Sequence, residues 1–325
     1  MMCRGQRRGW VKSALAALLV ALLALAGLWW WLCAGQERLS ITAHDGPVRA
    51  TALSRDGSLL VTAGRDGTVR LWDARTGEER ATLVGHKGAV RALALAANDT
   101  LLASAGEDRL VRLWNVATAQ ELAALKGHKG AITSLCFAPD GSMLASGSED
   151  KSVKVWNVPE RAPREHFDGH TGRVWSVAFA ADGKTLASAG SGNNAVRLWH
   201  IEAGGRNLLT GHARRVCCIA FATDGKTLAS ADKDGTVKLW DLEAGKERAT
   251  LKAHSAWISA LACTPAGGLV TAAEDGLVKV WDASLALTAT LTAHEGGVLA
   301  AALAADGKTL ASGGADGTAK IWSLP

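Results

Sequence analysis

The sequence predicts an all-β body, one short unit written seven times, behind a single apolar helix. Three observations carry this. His44, His86, His128, His170, His212 and His254 recur every 42 residues, and His294 follows after 40. Trp72, Trp114, Trp156, Trp199, Trp240, Trp281 and Trp322 keep the same beat, 28 residues behind their His in five units, 29 in the fourth and 27 in the sixth. Periods of this size mark radial or solenoid arrays. Residues 13–34 form a run without a charge.

The chain has 325 residues, 36 Gly and 13 Trp against 0 Tyr and 4 Phe. Its 48% hydrophobic content excludes a disordered chain, and its 6 Cys are too few for a disulfide scaffold. The net charge is +5, but Arg4, Arg7, Arg8 and Lys12 alone carry charge in the first 35 residues. Without them 32 basic residues face 31 acidic ones, which argues against a body that neutralises nucleic acid.

Residues 1–12 read as a basic cytoplasmic stub. The segment 13–34, SALAALLVALLALAGLWWWLCA, would rise about 33 Å as a helix, enough for a bilayer core of about 30 Å. The basic flank places the stub inside, and Trp29, Trp30 and Trp31 suit the far interface. The expectation is a single-pass anchor or uncleaved signal with the body outside the cytoplasm, periplasmic in a bacterium. Ala24-Leu25-Ala26 supports the alternative of a secreted body after signal cleavage, although the apolar run continues past it. Cys33 is a poor lipidation site, because Trp30, Trp31 and Leu32 precede it.

Within a unit, AITSLCFA, MLASGS, SVKVWNV and REHFD are separated by PDG, ED and PE turn signals, which reads as four short strands a, b, c and d. The seventh unit lacks a fourth run after Ile321-Trp322-Ser323-Leu324-Pro325, whereas 37–42 is an orphan strand before His44. That strand is expected to complete the last unit and remove an exposed sheet edge.

These motifs resemble the WD-repeat family over 37–325. Gly precedes His86, His128, His170 and His212, and Trp-Asp stands at Trp72-Asp73, Trp240-Asp241 and Trp281-Asp282. Ala replaces the Gly before His44, His254 and His294, and Asn115, Asn157, His200 and Ser323 replace the Asp. The resemblance implies a seven-bladed β-propeller of four-stranded antiparallel blades around a central channel.

Each unit also repeats an acid or amide six residues before its Trp (Asp66, Asp108, Asp150, Asn193, Asp234, Asp275, Asp316) and a hydroxyl in strand b (Thr62, Ser104, Ser146, Ser188, Ser230, Thr271, Ser312). With His, these types could make a hydrolytic triad. Catalysis needs one such site with an oxyanion hole, not seven equivalent copies. The resemblance implies instead a structural tetrad of Asp, His, Ser/Thr and Trp in each blade. No catalytic, cofactor or metal site is expected. His166 and His200 read as surface residues without a second ligand. Cys136, Cys217, Cys218 and Cys263 fall in a strands with no CxxC pair and read as buried thiols. Gly190-Ser191-Gly192 reads as a b–c turn, and Asn98-Asp99-Thr100 is a glycosylation sequon relevant only to a eukaryotic secretory host.

Departures from the repeat carry the functional information. The third positions beyond each His read Pro47, Ala89, Ala131, Arg173, Arg215, Trp257 and Gly297; the fifth read Arg49, Arg91, Thr133, Trp175, Cys217, Ser259 and Leu299. Both sets should border the face carrying the d–a and b–c loops. The resemblance implies partner contacts there, so Arg173, Trp175, Arg215, Trp257, Arg49 and Arg91 are the candidate partner-binding residues. The competing reading is that Trp175 and Trp257 fill gaps between blades. The functional expectation is a non-enzymatic, membrane-tethered scaffold for a protein or peptide partner, with no nucleic acid. A propeller enzyme or small-ligand receptor in the channel mouth is the alternative. A transmembrane sensor is disfavoured by the short stub.

Overall fold

The computed structural model describes residues 35–325. The expected stub and anchor, 1–12 and 13–34, lie outside the described residues. Among those described, no helix is long and apolar enough to cross a membrane.

Seven four-stranded antiparallel sheets form the body. Blade one shows how the sequence builds each. Strand a, β2 (Val48–Leu53), alternates buried and more accessible residues, as a strand with one face on the channel should. Strand b, β3 (Leu59–Gly64), is buried throughout because both its faces meet protein. Strand c, β4 (Val69–Asp73), carries the repeat Trp, and strand d, β5 (Glu79–Leu83), is mostly exposed at the rim.

The repeat Trp seals each blade to the one before it. Trp114 packs in the cluster of Leu71 and Leu83, and Trp156 joins Leu113 and Leu125 of the preceding blade. The ring closes through β1 (Gln36–Thr42). It pairs with β28 (Thr318–Ser323), the outer partner of β27 (Thr309–Gly314) and β26 (Val298–Leu303). Thr42 lies opposite Thr318 and Gln36 opposite Ser323, while β26 packs against β2. Closure gives the last blade its outer strand, so its c strand, β28, is not left as an open edge.

The strands predicted for the third unit match Ile132–Phe137, Met143–Ser148, Val153–Asn157 and Ala162–Phe167, the last beginning two residues earlier than its apolar run. Turns on the face opposite the His-bearing loops use Asx chemistry. Asp140 accepts from the Ser142 N–H at 2.9 Å, and Gly141 supplies a φ of 72°.

Every a strand carries one bulge, at Arg49, Arg91, Thr133, Trp175, Cys217, Ser259 and Leu299, where its register against strand b slips by one residue. A bulge re-aims the extra side chain, here towards the channel.

Candidate functional site

The repeated polar residues meet inside the blades. In blade one the Trp72 Nε1–H donates to Thr62 Oγ1 at 2.9 Å, and Thr62 Oγ1 lies 2.8 Å from His44 Nε2. His44 Nδ1 lies 2.9 Å from Asp66 Oδ2. A carboxylate only accepts, so Nδ1 carries the proton and Nε2 accepts from the hydroxyl. Thr62 is fully buried and its oxygen also accepts from Trp72, which suits a structural element.

The same path runs through Trp114, Ser104, His86 and Asp108, and through Trp156, Ser146, His128 and Asp150. It recurs through Trp281, Thr271, His254 and Asp275, and through Trp322, Ser312, His294 and Asp316. Burial holds the pKa of His44, His86, His254 and His294 below its ordinary value against the pull of the carboxylates. Burial pushes the Asp66 carboxyl up, but hydrogen bonds from Thr68 and His44 more than offset it and hold it low.

Two blades correct the expected assignment. In blade five the acid is Asp232, not Asp234: its Oδ2 lies 3.1 Å from His212 Nδ1, and its Oδ1 accepts from the backbone of Asp234 and Thr236. Ser230 and Trp240 keep their places. Asp234 is exposed and pairs with Arg214 at 3.1 Å. The sequence carried a signal for this, since strand b ends in Asp232 where other blades have Gly, Ser or Ala.

In blade four the extra residue in the b–c turn displaces Asn193, which is exposed and bonds to none of the other three. Trp199 donates to Ser188 Oγ at 2.8 Å, and Ser188 Oγ lies 2.7 Å from His170 Nε2, but His170 Nδ1 is buried with no partner. Burial, with a contribution from Arg197, lowers the His170 pKa to about 4.

All seven bulged residues line one cavity of about 690 Å³ at the channel mouth on the His-bearing face. Ala89, Arg173 and Trp257 of the third positions line it too, together with Arg65, Glu107, Glu149 and Glu274, while Arg215 does not line the cavity itself and sits beside it against Trp175 and Trp257. Its wall divides by chemistry. Across blades two to four, Arg91 bonds Glu107 at 2.7 Å and Glu149 at 3.0 Å, and Arg173 reaches the same Glu149 at 3.1 Å. Across blades four to six, the rings of Trp175 and Trp257 meet edge to face at 5.6 Å. The Arg215 guanidinium lies 4.3 Å from the Trp257 ring and 5.2 Å from that of Trp175. Both indoles are half-buried, so they neither fill a sealed gap nor stand free. Arg49 is exposed at the rim. The contact among Trp175, Arg215 and Trp257 could not be read from positions 40 and 42 residues apart.

The far mouth, a cavity of about 680 Å³, is lined instead by small and apolar residues such as Leu53, Leu95, Phe137 and Pro265.

The thiols serve packing. Cys136 accepts from the Phe179 N–H of the next blade, and burial pushes Cys217 and Cys263 up to about 12. Among the described residues, no three His, Cys, Asp or Glu are grouped to hold a metal. His166 is exposed beside Asp168, and His200 is half-buried.

A search of the curated proteins gives no match to this chain. The family model described as "WD domain, G-beta repeat" matches it seven times, at residues 35–73, 77–115, 119–157, 161–200, 205–241, 245–282 and 285–323. Each match begins with the outer strand of one blade and ends with strand c of the next, the same offset that lets β1 close the ring. By these seven matches the chain belongs to the WD domain, G-beta repeat family.

Proposed function

We propose that this chain is a membrane-tethered interaction scaffold that performs no reaction and binds a protein or peptide at the mouth formed by Arg49, Arg91, Arg173, Trp175, Arg215 and Trp257. The observation that carries this is the set of seven bulged residues. The fold turns every one of them to the same mouth, yet their chemistry varies from blade to blade, with arginine in two blades and threonine, tryptophan, cysteine, serine and leucine in one each. The tetrads and blade interfaces already satisfy the fold, so this variation is free to encode recognition. Trp and Arg are the residues that anchor interfaces. The family, typical of interaction scaffolds, supports the same reading.

Tethering rests on the apolar segment 13–34. The Gln36 end of β1 pairs with Ser323, at the opposite end of the strand from Thr42 and the His44 loop. An anchor joined there would leave the Trp175 mouth facing away from the membrane.

A photo-crosslinking residue at Arg173 of the full chain, in membranes, tests both parts. It should yield a discrete adduct that the same residue at Asp140, on the opposite face, does not. Recovery of the chain in the soluble fraction, shortened at its amino end, would defeat tethering. Identical adducts from both faces would defeat the binding mouth.

A further inference from the structure

We infer that the occupant of this mouth is an extended peptide segment whose carboxylate side chain is bound by Arg215, which lies against the indoles of Trp175 and Trp257. The inference deepens the proposed interaction function and rests on it.

Arg215 is set as a receptor and lacks its counterion. Its guanidinium carbon lies 4.3 Å from the Trp257 ring centre and 5.2 Å from that of Trp175, two contacts that restrict its orientation. Its half-buried side chain makes no salt bridge within 4.0 Å among the described residues. A pre-oriented, unpaired fork binds a carboxylate through two parallel hydrogen bonds at little entropic cost.

The surroundings are short of acceptors. Arg215 Nε, Trp175 Nε1 and Trp257 Nε1 are all buried without a hydrogen-bond partner. The Cys217 sulfur, a weak acceptor, lies near the Trp257 N–H without forming a geometrically sound hydrogen bond. These three donors are sealed from solvent, and the terminal nitrogens of the Arg215 fork, which are not among the buried unpartnered atoms, are the ones left to meet a ligand oxygen.

Charge around the cavity agrees. Glu107 and Glu149 are already committed to Arg91 and Arg173. Arg49 and Arg65 line the mouth without a carboxylate within 4.0 Å among the described residues, against one such acid, Glu274. A cationic ligand is disfavoured, because the positive charge of Arg215 already lies against both indoles. A cavity of about 690 Å³ admits a few side chains and not a folded domain, so the occupant is a segment.

The test uses the full chain in mild detergent and fluorescence anisotropy. The probes are a labelled pool of short peptides randomised around a fixed central Glu, its fixed-Gln twin, and N-acetylglutamate as competitor. The Glu pool should bind at least about tenfold tighter than the Gln pool. Arg215→Lys, which keeps the charge but loses the fork, should erase that preference, while Arg214→Lys should not. Melting curves confirm that both variants fold. Equal binding of the two pools, or a preference that survives Arg215→Lys, overturns the carboxylate assignment while the crosslinking result at Arg173 still decides the interaction reading. Competition by N-acetylglutamate at the concentration of the peptide pool would assign a small acid instead and overturn the peptide segment. Absence of binding by either pool overturns the inference outright.

Discussion

His212 takes its acid from Asp232 at 3.1 Å, although Asp234 occupies the repeat position that serves five of the other blades. Asp232 is buried and Asp234 exposed. The two substitutions should therefore separate sharply in thermal or urea unfolding. Asp232→Ala leaves His212 Nδ1–H and two backbone N–H groups without acceptors and should cost about 2–3 kcal/mol. Asp234→Ala loses only an exposed pair with Arg214 and should stay within about 0.5 kcal/mol. Equal costs would contradict the corrected assignment.

Ser146 bridges His128 Nε2 and Trp156 Nε1 at 2.7 and 2.9 Å with no solvent access. Ser146→Ala strands both ring nitrogens in a buried site. A loss of about 2–4 kcal/mol is expected, while Ser142→Ala in an exposed turn should cost well under 1 kcal/mol.

Acid should loosen the ring through its neutral histidines. His170 has a folded-state pKa of about 4 against 6.5 for the free side chain. Below 6.5 the unfolded chain therefore binds a proton that the folded chain refuses. The stability tied to His170 is fully present above pH 6.5, is lost as pH falls towards 4, and changes little below that. At most about 3 kcal/mol is at stake for this residue. His44, His86, His254 and His294 shift in the same direction. Urea unfolding measured between pH 7 and 4 should show this decline, and His170→Gln should make it shallower; an unchanged slope would refute the assignment.

Closure by β1 can be tested by shortening. Ile41 is buried in the cluster of Trp72 and Ile321, and Lys320 bonds Glu37 at 2.9 Å. Ile41→Ala should cost about 2–4 kcal/mol. Removing 36–42 should lower the melting temperature further and expose the β28 edge to association, seen as a larger species in sedimentation.

Much of this was legible in the sequence because repetition exposes it. The seven-blade count, the four-strand unit and five of the seven acid assignments follow from one spacing. The failures have local causes. At Asp232 an acid of the right type sits two residues early, at the end of a buried strand, and spacing cannot weigh burial. At Asn193 one inserted residue rotates the turn, which the 29-residue interval signalled without showing the result. The candidate mouth was legible as positions, since the fifth residue beyond each His is the bulged one. The contact of Arg215 with Trp175 and Trp257 was not, because it depends on how three bulged strands converge on one channel.

The most direct test of the central claim compares the full chain with a Trp175→Ala, Arg215→Ala, Trp257→Ala variant of matched thermal stability, both immobilised, in capturing proteins from a membrane extract. A protein retained by the first and lost by the second is the predicted result. Capture of the same proteins by both forms would contradict it and remove this mouth as the binding surface.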